Sequence, residues 1–333
     1  MHTGLVRPAV VAVLCALAGG GCAELGTAIP DGTSISVGKP SNGGLVDGVR
    51  LPDDGEGFTT RAVWKARDNR YGTDELIDLI TGVGRRMSTR VKDVKLVVAD
   101  LSSNRGGASP LWHRSHQNGR DVDLVYYMRD KDGKPFEPDA MHVFNARGRA
   151  RDGSGLSIDV PRTWLLVREL VMAPEAPVQF IFMYEPIAWT LIEHAKQIGE
   201  PAAVIARARR ALKQPGDSAR HDDHLHVRVY CTDRDREFGC VDIGPMELYA
   251  EREAERARGE DLASAVAKLV TEHVADRAAG PAQGGGAVAA TAAAALTPAG
   301  TAAFAAPMVA TELRSLGHLL RTKTDRVYLR RWR

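Results

Sequence analysis

The sequence predicts an α+β fold with a mainly antiparallel central sheet and flanking helices. Apolar and polar residues alternate over 121–127 and 224–230, which is the two-residue repeat of half-buried strands. Between these segments, 161–171 has a helical repeat with a proline in its first turn. Because strands and helices follow each other irregularly, the pattern favours α+β over a regular alternation of parallel strands and helices.

The remaining elements are predicted from similar signals. The first clear helix begins at Thr73, a capping hydroxyl, and Asp74 follows where the helix dipole favours an acid. Further apolar segments predict strands at 94–99 and 178–184 and a helix at 186–195.

The first 21 residues predict an export signal. His2 and Arg7 give a basic start, and an apolar run of about ten residues leads to small residues before Cys22. The run is shorter than the about 20 residues that span a bilayer. Cys22 resembles a lipoprotein processing site, but Gly19 is atypical there, so lipidation at Cys22 and plain cleavage nearby stay open. The predicted location is the periplasm, with outer-membrane anchoring if Cys22 is lipidated.

The rest of the chain divides by composition. Residues 22–50 are rich in Gly, Pro, Ser and Asp and predict a linker that leads irregularly into a main domain at 51–245. A charged amphipathic helical extension is predicted at 246–279, an Ala/Gly-rich low-complexity linker at 280–308, and a basic tail at 309–333. The tail is either a solvated end or an arm for an anionic surface.

Charge and cysteine content narrow the class of protein. The net charge of +2 is too small to predict a nucleic-acid partner. Cys15 and Cys22 belong to the leader region, so only Cys231 and Cys240, nine positions apart, lie in the body of the chain, and an exported protein meets an oxidising compartment. They predict a disulfide, with two buried free thiols as the alternative.

Five of the ten histidines lie in two short clusters beside carboxylates, namely His113, His116, His221, His224 and His226. In the first cluster, Gly119 permits a tight turn with positive φ, which would bring His116 near Asp123 on the following strand. In the second, His224 and His226 are two positions apart on a strand and therefore share one face.

Two histidines and one carboxylate form the ligand set of a catalytic zinc, which leaves a fourth position for water. A protein base is then needed, and either His221 or His224 is placed for it. The alternatives are a structural metal site, which normally has four protein ligands, and a histidine-rich surface.

Four segments of this chain resemble the penicillin-insensitive murein endopeptidases. They are the run from His113 to Asp123, SIDVPRTW at 157–164, DHLHVR at 223–228 and the stretch 36–51. The likeness covers about 34–245, so that 51–245 is interpreted as a zinc peptidase domain.

The resemblance implies roles for individual residues. His116, Asp123 and His226 match the ligands of one catalytic zinc ion, His224 the general base, and His221 a histidine that stabilises the oxyanion or positions substrate. His113 matches either a supporting active-site residue or a ligand of an additional metal. The motif residues without a certain role are Gln117, Gly119 and Asp121.

The implied reaction is penicillin-insensitive hydrolysis of the D-alanyl to meso-diaminopimelyl cross-link of peptidoglycan. The partner is therefore cross-linked muropeptide, with no nucleic acid and with a membrane only through lipidation at Cys22. The alternatives are a D,D-carboxypeptidase or dipeptidase of the same zinc group, and a catalytically silent protein that binds peptidoglycan in the envelope.

Overall fold

The computed structural model describes residues 31–108, 113–216 and 218–278. The chain divides into two units, with the boundary after Arg256. The predicted leader with Cys22, the low-complexity linker at 280–308 and the basic tail at 309–333 lie outside the described residues. Among the helices of the described part, none has the length and apolar character needed to cross a membrane.

Fourteen short strands occur in the described ranges of the first unit. In chain order they are β1 (Ile35–Lys39), β2 (Asn42–Val46), β3 (Val49–Arg50), β4 (Asp54–Gly55), β5 (Phe58–Thr59), β6 (Tyr71–Gly72), β7 (Leu96–Val97), β8 (Asp121–Val125), β9 (Met128–Arg129), β10 (Pro135–Phe136), β11 (Ser157–Ile158), β12 (Val178–Phe182), β13 (Leu212–Lys213) and β14 (His224–Val229).

Seven helices accompany them in the described residues. They are α1 (Ala62–Arg67), α2 (Asp74–Arg90), α3 (Val160–Val171), α4 (Glu185–Gln197), α5 (Ala202–Ala211), α6 (Asp233–Glu237) and α7 (Glu247–Ala278). Thr73 caps α2 as predicted, since its hydroxyl accepts a hydrogen bond from the N–H of Leu76. Asp159 caps α3 in the same way through the N–H of Arg162.

The largest sheet has four strands in the order β13-β12-β14-β8. Strands β12, β14 and β8 pair antiparallel, and the two-residue edge strand β13 pairs parallel with β12. The smaller sheets contain two or three strands each. This mixture confirms the predicted α+β class with a mainly antiparallel central sheet.

One face of this sheet is covered by helices. Strand residues on that face, such as Val122, Leu225 and Val227, are fully buried in the core. Helices α3 and α5 contact β12, and α4 packs on both helices. Burying each such aliphatic side chain contributes about 1.5–3 kcal/mol, which makes this face the stable base of the site.

Residues 31–50 contain β1, β2 and β3, although the sequence predicted a linker that leads irregularly into the main domain. β1 and β2 form an antiparallel hairpin, and the N–H of Ser36 donates to the carboxylate of Asp235 at 2.9 Å. The carboxylate of Asp74 fixes the residues before β1, because it accepts hydrogen bonds from the N–H groups of Asp31 and Gly32. The sequence did not predict this hairpin, because residues distant in sequence, such as Asp235, help to hold it.

The helical extension is a single helix, α7, over its 32 residues. Its first turns, which belong to the first unit, pair with α5 through Arg207, whose guanidinium lies 2.9 Å from Glu251. In the second unit the predicted apolar stripe is exposed at Leu262, Val266 and Val270.

Candidate metal centre

Two neighbouring strands bring the predicted ligands together on the sheet face opposite the helices. β14 and β8 pair so that His226 lies opposite Asp123 and Arg228 opposite Asp121. Alternation along each strand puts these side chains on one face, together with His224. The two sequence motifs, about a hundred residues apart, therefore meet through strand register.

The ligand atoms of His116, Asp123 and His226 form a nearly equilateral triangle. The Nε2 atom of His116 is 3.3 Å from the Oδ1 atom of Asp123 and 3.4 Å from the Nδ1 atom of His226, and that Nδ1 is 3.3 Å from the same oxygen. A tetrahedral zinc with bonds of about 2.0–2.1 Å has ligands about 3.3–3.4 Å apart. These three residues therefore fit a zinc ion without rearrangement.

A buried carboxylate oxygen supports the same fit. Among the described residues, Oδ1 of Asp123, which faces Nε2 of His116 and Nδ1 of His226, is buried and lacks a hydrogen-bond partner. Such groups cost about 1–3 kcal/mol each when nothing satisfies them. A cation between the three side chains would satisfy the carboxylate oxygen directly.

The loop before β8 positions His116 through unusual backbone angles. His116 has φ of 67° and Gly119 has φ of 78°, so the chain turns back as expected from the glycine. The N–H of His116 donates to Oδ2 of Asp121 at 3.2 Å, and the carbonyl of His116 accepts a hydrogen bond from the hydroxyl of Ser102. A non-glycine residue in this region is strained by about 1–3 kcal/mol, and it persists because the surrounding contacts hold it.

Asp121, which the sequence left without a role, supports His226, one of the predicted ligands. Its Oδ2 atom lies 3.3 Å from Nε2 of His226, the ring nitrogen that faces away from Asp123. Arg228 grips both oxygens of Asp121 at 2.7 and 2.8 Å. Burial raises the pKa of Asp121, but Arg228 and His226 more than offset it and hold the pKa well below its usual range. Arg228–Asp121–His226 is thus a chain of supports behind the site.

His224 lies between two carboxylates. Its Nδ1 atom is 2.7 Å from Oδ1 of Asp223, and its Nε2 atom is 3.3 Å from Oδ1 of Asp123. Burial works to lower the pKa of His224, but Asp123 and Asp223 together raise it to about 10. By contrast, burial lowers the pKa of His226 to about 4. The pKa values of the two histidines of one motif are therefore shifted in opposite directions.

His221 borders the cluster from the loop before β14. Its ring centre is 5.1 Å from that of His224 and 5.3 Å from that of His226. Its φ is 54°, and its carbonyl accepts from the hydroxyl of Tyr126 at 3.0 Å and the N–H of Tyr184 at 3.1 Å. Burial, followed by the charge of His224, lowers its pKa, which favours the neutral imidazole.

His113 contacts the second oxygen of Asp123. Its Nδ1 atom is 3.6 Å from Oδ2 of Asp123, and its Nε2 atom is 2.9 Å from Oδ2 of Asp100. Asp100 in turn is held by Arg67 at 2.7 Å. Asp100 and Arg67 carried no signal in the sequence, because only the fold brings Asp100 beside His113 and Arg67 beside Asp100.

Three overlapping residue sets in the described part of the chain have donor atoms close enough to hold an ion. They are His221, His224 and His226; His113, His116 and Asp123; and His116, Asp121 and His226. The triangle of His116, Asp123 and His226 lies at their centre, and its edges match tetrahedral zinc. Gln117 stays outside, since its side-chain amide donates to the carbonyl of Arg114.

A disulfide lies directly behind β14. Cys231 and Cys240 are joined with their Cα atoms 6.1 Å apart, and both are buried. Strand β14 carries two of the cluster residues, His224 and His226, and ends two residues before this bridge, so the bridge restrains its carboxyl end.

An antiparallel sheet that presents converging histidines and aspartates defines an α+β protein with a candidate divalent-metal centre. Residues 36–258 match the family pattern of penicillin-insensitive murein endopeptidases. The chain belongs to this family, which confirms the resemblance found in the sequence.

Curated relatives carry the same family name. The chain is similar to penicillin-insensitive murein endopeptidases of Haemophilus influenzae, with 28% identity over 212 residues, and of Pectobacterium atrosepticum, with 27% over 211 residues. Each alignment covers 60% of this chain, and it spans 65% and 66% of those relatives.

Proposed function

We propose that this chain is a zinc-dependent, penicillin-insensitive D,D-endopeptidase that hydrolyses D-alanyl to meso-diaminopimelyl cross-links in peptidoglycan. One zinc ion would be held by His116, Asp123 and His226. The observation that carries the proposal is the triangle of their donor atoms, with edges of 3.3–3.4 Å. Family membership supports the class of substrate. We place the protein in the periplasm, with Cys22 as a candidate lipid anchor.

Zinc bound here would polarise the scissile carbonyl and lower the pKa of a water molecule towards about 7. The protein must then move one proton from that water to the leaving amine. His224 is suited to this task because Asp223 fixes its Nδ1 atom and leaves Nε2 directed at the ligand cluster. Despite burial, Asp123 and Asp223 raise the pKa of His224 to about 10, so His224 can act as the base only when a cation at Asp123 lowers that pKa. Zinc held by Asp123 would offset the charge of that carboxylate, and Asp223 would then stabilise the imidazolium that forms when His224 accepts the proton.

His221 has the complementary role of a neutral donor. Its lowered pKa keeps the imidazole uncharged near neutral pH, and its ring lies beside those of His224 and His226. A neutral imidazole can donate an N–H to the oxyanion that develops on the substrate carbonyl. No serine nucleophile takes part, which is consistent with insensitivity to penicillin.

The test is mass spectrometry of cross-linked muropeptide dimers incubated with the purified full chain. We expect conversion of dimers to monomers that a chelator abolishes and added zinc restores. His226→Ala should lower the rate by at least about a thousandfold, because a metal contributes several kcal/mol to the transition state. His142→Ala is the matched control, since its imidazole pairs with Asp152 rather than with the cluster.

Other outcomes would contradict this reaction. Release of terminal D-alanine while dimers persist would show a carboxypeptidase. If dimers persist and no terminal D-alanine is released, but the protein sediments with sacculi, the chain is a binding protein without turnover. Full activity in His226→Ala would refute the ligand assignment.

A further inference from the structure

The residue row that holds the metal centre continues across the sheet beyond the histidines. Asp123 pairs with His226, His226 with Phe182, and Phe182 with Lys213 at the edge strand β13. Paired residues on neighbouring strands share a face, so Lys213 belongs to the same face as the ligands. Burial agrees, since Leu212 is buried on the core side and Lys213 is exposed.

The strand register also sets the distance between Lys213 and His226. Neighbouring strands lie about 4.8 Å apart, and β13 is two strands from β14, so the Lys213 backbone is about 10 Å to the side of His226. An extended peptide covers about 3.3 Å per residue. A peptide that crosses the sheet from the metal centre would therefore reach Lys213 within about three residues of the scissile bond.

The ring of Phe182 forms an apolar surface between the metal centre and Lys213. Its half-buried ring lies 5.4 Å from the ring of His226 and 5.0 Å from the ring of Phe180. The guanidinium of Arg228 lies 5.3 Å from the centre of the Phe182 ring. This surface suits the apolar stem of a peptide rather than its charged groups.

At the edge of the sheet, Lys213 borders a groove of about 420 Å³ that is also lined by Leu212 and by residues of α4 and α5, the helices of the opposite face. Its lining includes Glu185, Trp189, Arg209 and Gln214. Trp189 is 48% exposed, and the guanidinium of Arg209 lies 5.4 Å from its ring centre. The groove thus combines an exposed aromatic ring with cations.

Among the described residues, neither Lys213 nor Arg209 forms an ion pair, although Glu185 lines the same groove. The loop from Gln214 leads to His221, and the side-chain oxygen of Gln214 accepts from the N–H of Glu185 at 3.0 Å. Uncompensated positive charge beside a substrate path favours an anionic group on the substrate.

We propose that Lys213, with Arg209 behind it, binds a carboxylate of the peptide substrate on the Phe182 side of the metal centre. This inference rests on the proposed function and adds a determinant of specificity to it. The peptide lies over Phe182, and the carboxylate is borne by a residue within about three positions of the scissile bond. The long stem of Lys213 lets its ammonium follow that group.

The experiment compares two cross-linked muropeptide dimers that differ only in having free or amidated side carboxylates. KM and kcat are measured for the native chain, Lys213→Met and Lys213→Glu. We expect the native chain to show a KM about fivefold lower for the free acid, typical of an exposed ion pair, with kcat nearly equal. Lys213→Met should remove this preference, and Lys213→Glu should reverse it.

Lys134→Met is the matched control, because Lys134 is also exposed and lies in the turn between β9 and β10. It should keep the native preference. Equal KM values for both dimers in the native chain, or a preference that survives in Lys213→Met, would overturn the inference while the proposed function stands. If no dimer is cleaved, the proposed function fails, and calorimetric binding of both dimers to native and Lys213→Met protein applies the same criterion.

Discussion

The two faces of the central sheet are built from alternate residues of the same strands, yet different forces hold them. On the helix-covered face, Leu225 and Val227 are 0% exposed among other apolar side chains. On the opposite face, Asp123 and His226 are 1% and 5% exposed, but the buried Oδ1 atom of Asp123 lacks a hydrogen-bond partner. The two faces are nearly equally buried, but only the metal face has a buried polar atom without a hydrogen-bond partner in this comparison.

This difference separates stability from function along a single strand. Apolar burial contributes free energy of folding without any ligand. Buried polar atoms without partners cost free energy, and they persist where a bound ion or substrate compensates them. We therefore expect variants of β14 to alternate between loss of stability and loss of metal or activity.

The largest expected effect on this comparison comes from Leu225→Ala. Deleting a fully buried leucine side chain should lower the free energy of unfolding by about 2–5 kcal/mol, because a cavity remains in the core. His226→Ala, one residue away, should lower the stability of the metal-free protein by less than Leu225→Ala does, because it removes a polar imidazole rather than an apolar core side chain. Urea unfolding with chelator present measures both, and equal losses would break the distinction between the faces.

A smaller effect is expected from Arg228→Met, which tests the supports behind the metal ligand. Without the two contacts from Arg228, Asp121 should orient His226 less firmly and zinc affinity should fall by about 10–100-fold. Competition with a zinc-binding dye measures this loss. Arg129→Met is a suitable control, because Arg129 forms a comparable pair with Asp159 at the start of α3. Unchanged affinity in Arg228→Met would mean that Asp121 does not act through His226.

The sequence predicted those parts of the molecule that depend on local pattern. Alternation placed the strands at 121–127 and 224–230, which the structure has as β8 and β14, and Thr73 correctly indicated the start of α2. The strand expected at 94–99 is reduced to β7, Leu96–Val97. Its flanking residues pair irregularly, for example through a single bridge between Val98 and Leu124.

What the sequence missed depends on distant contacts. The hairpin of β1 and β2 is held by Asp235, almost two hundred residues away. The positive φ of His116 and His221 is imposed by surrounding bonds, and no propensity of histidine predicts it. The partner Asp100 became recognisable only when the fold set it beside His113. The assignment of His116, Asp123 and His226 as zinc ligands stays a prediction that their geometry supports.

Direct measurement of bound zinc tests the central claim most simply. Elemental analysis of the metal-free chain after zinc loading and exhaustive dialysis should give one zinc ion per native chain. In Asp123→Asn, which preserves volume and removes the charge shared by His116, His224 and His226, the zinc content should fall towards zero. One retained zinc in that variant, or none in the native chain, would contradict the proposed metal centre.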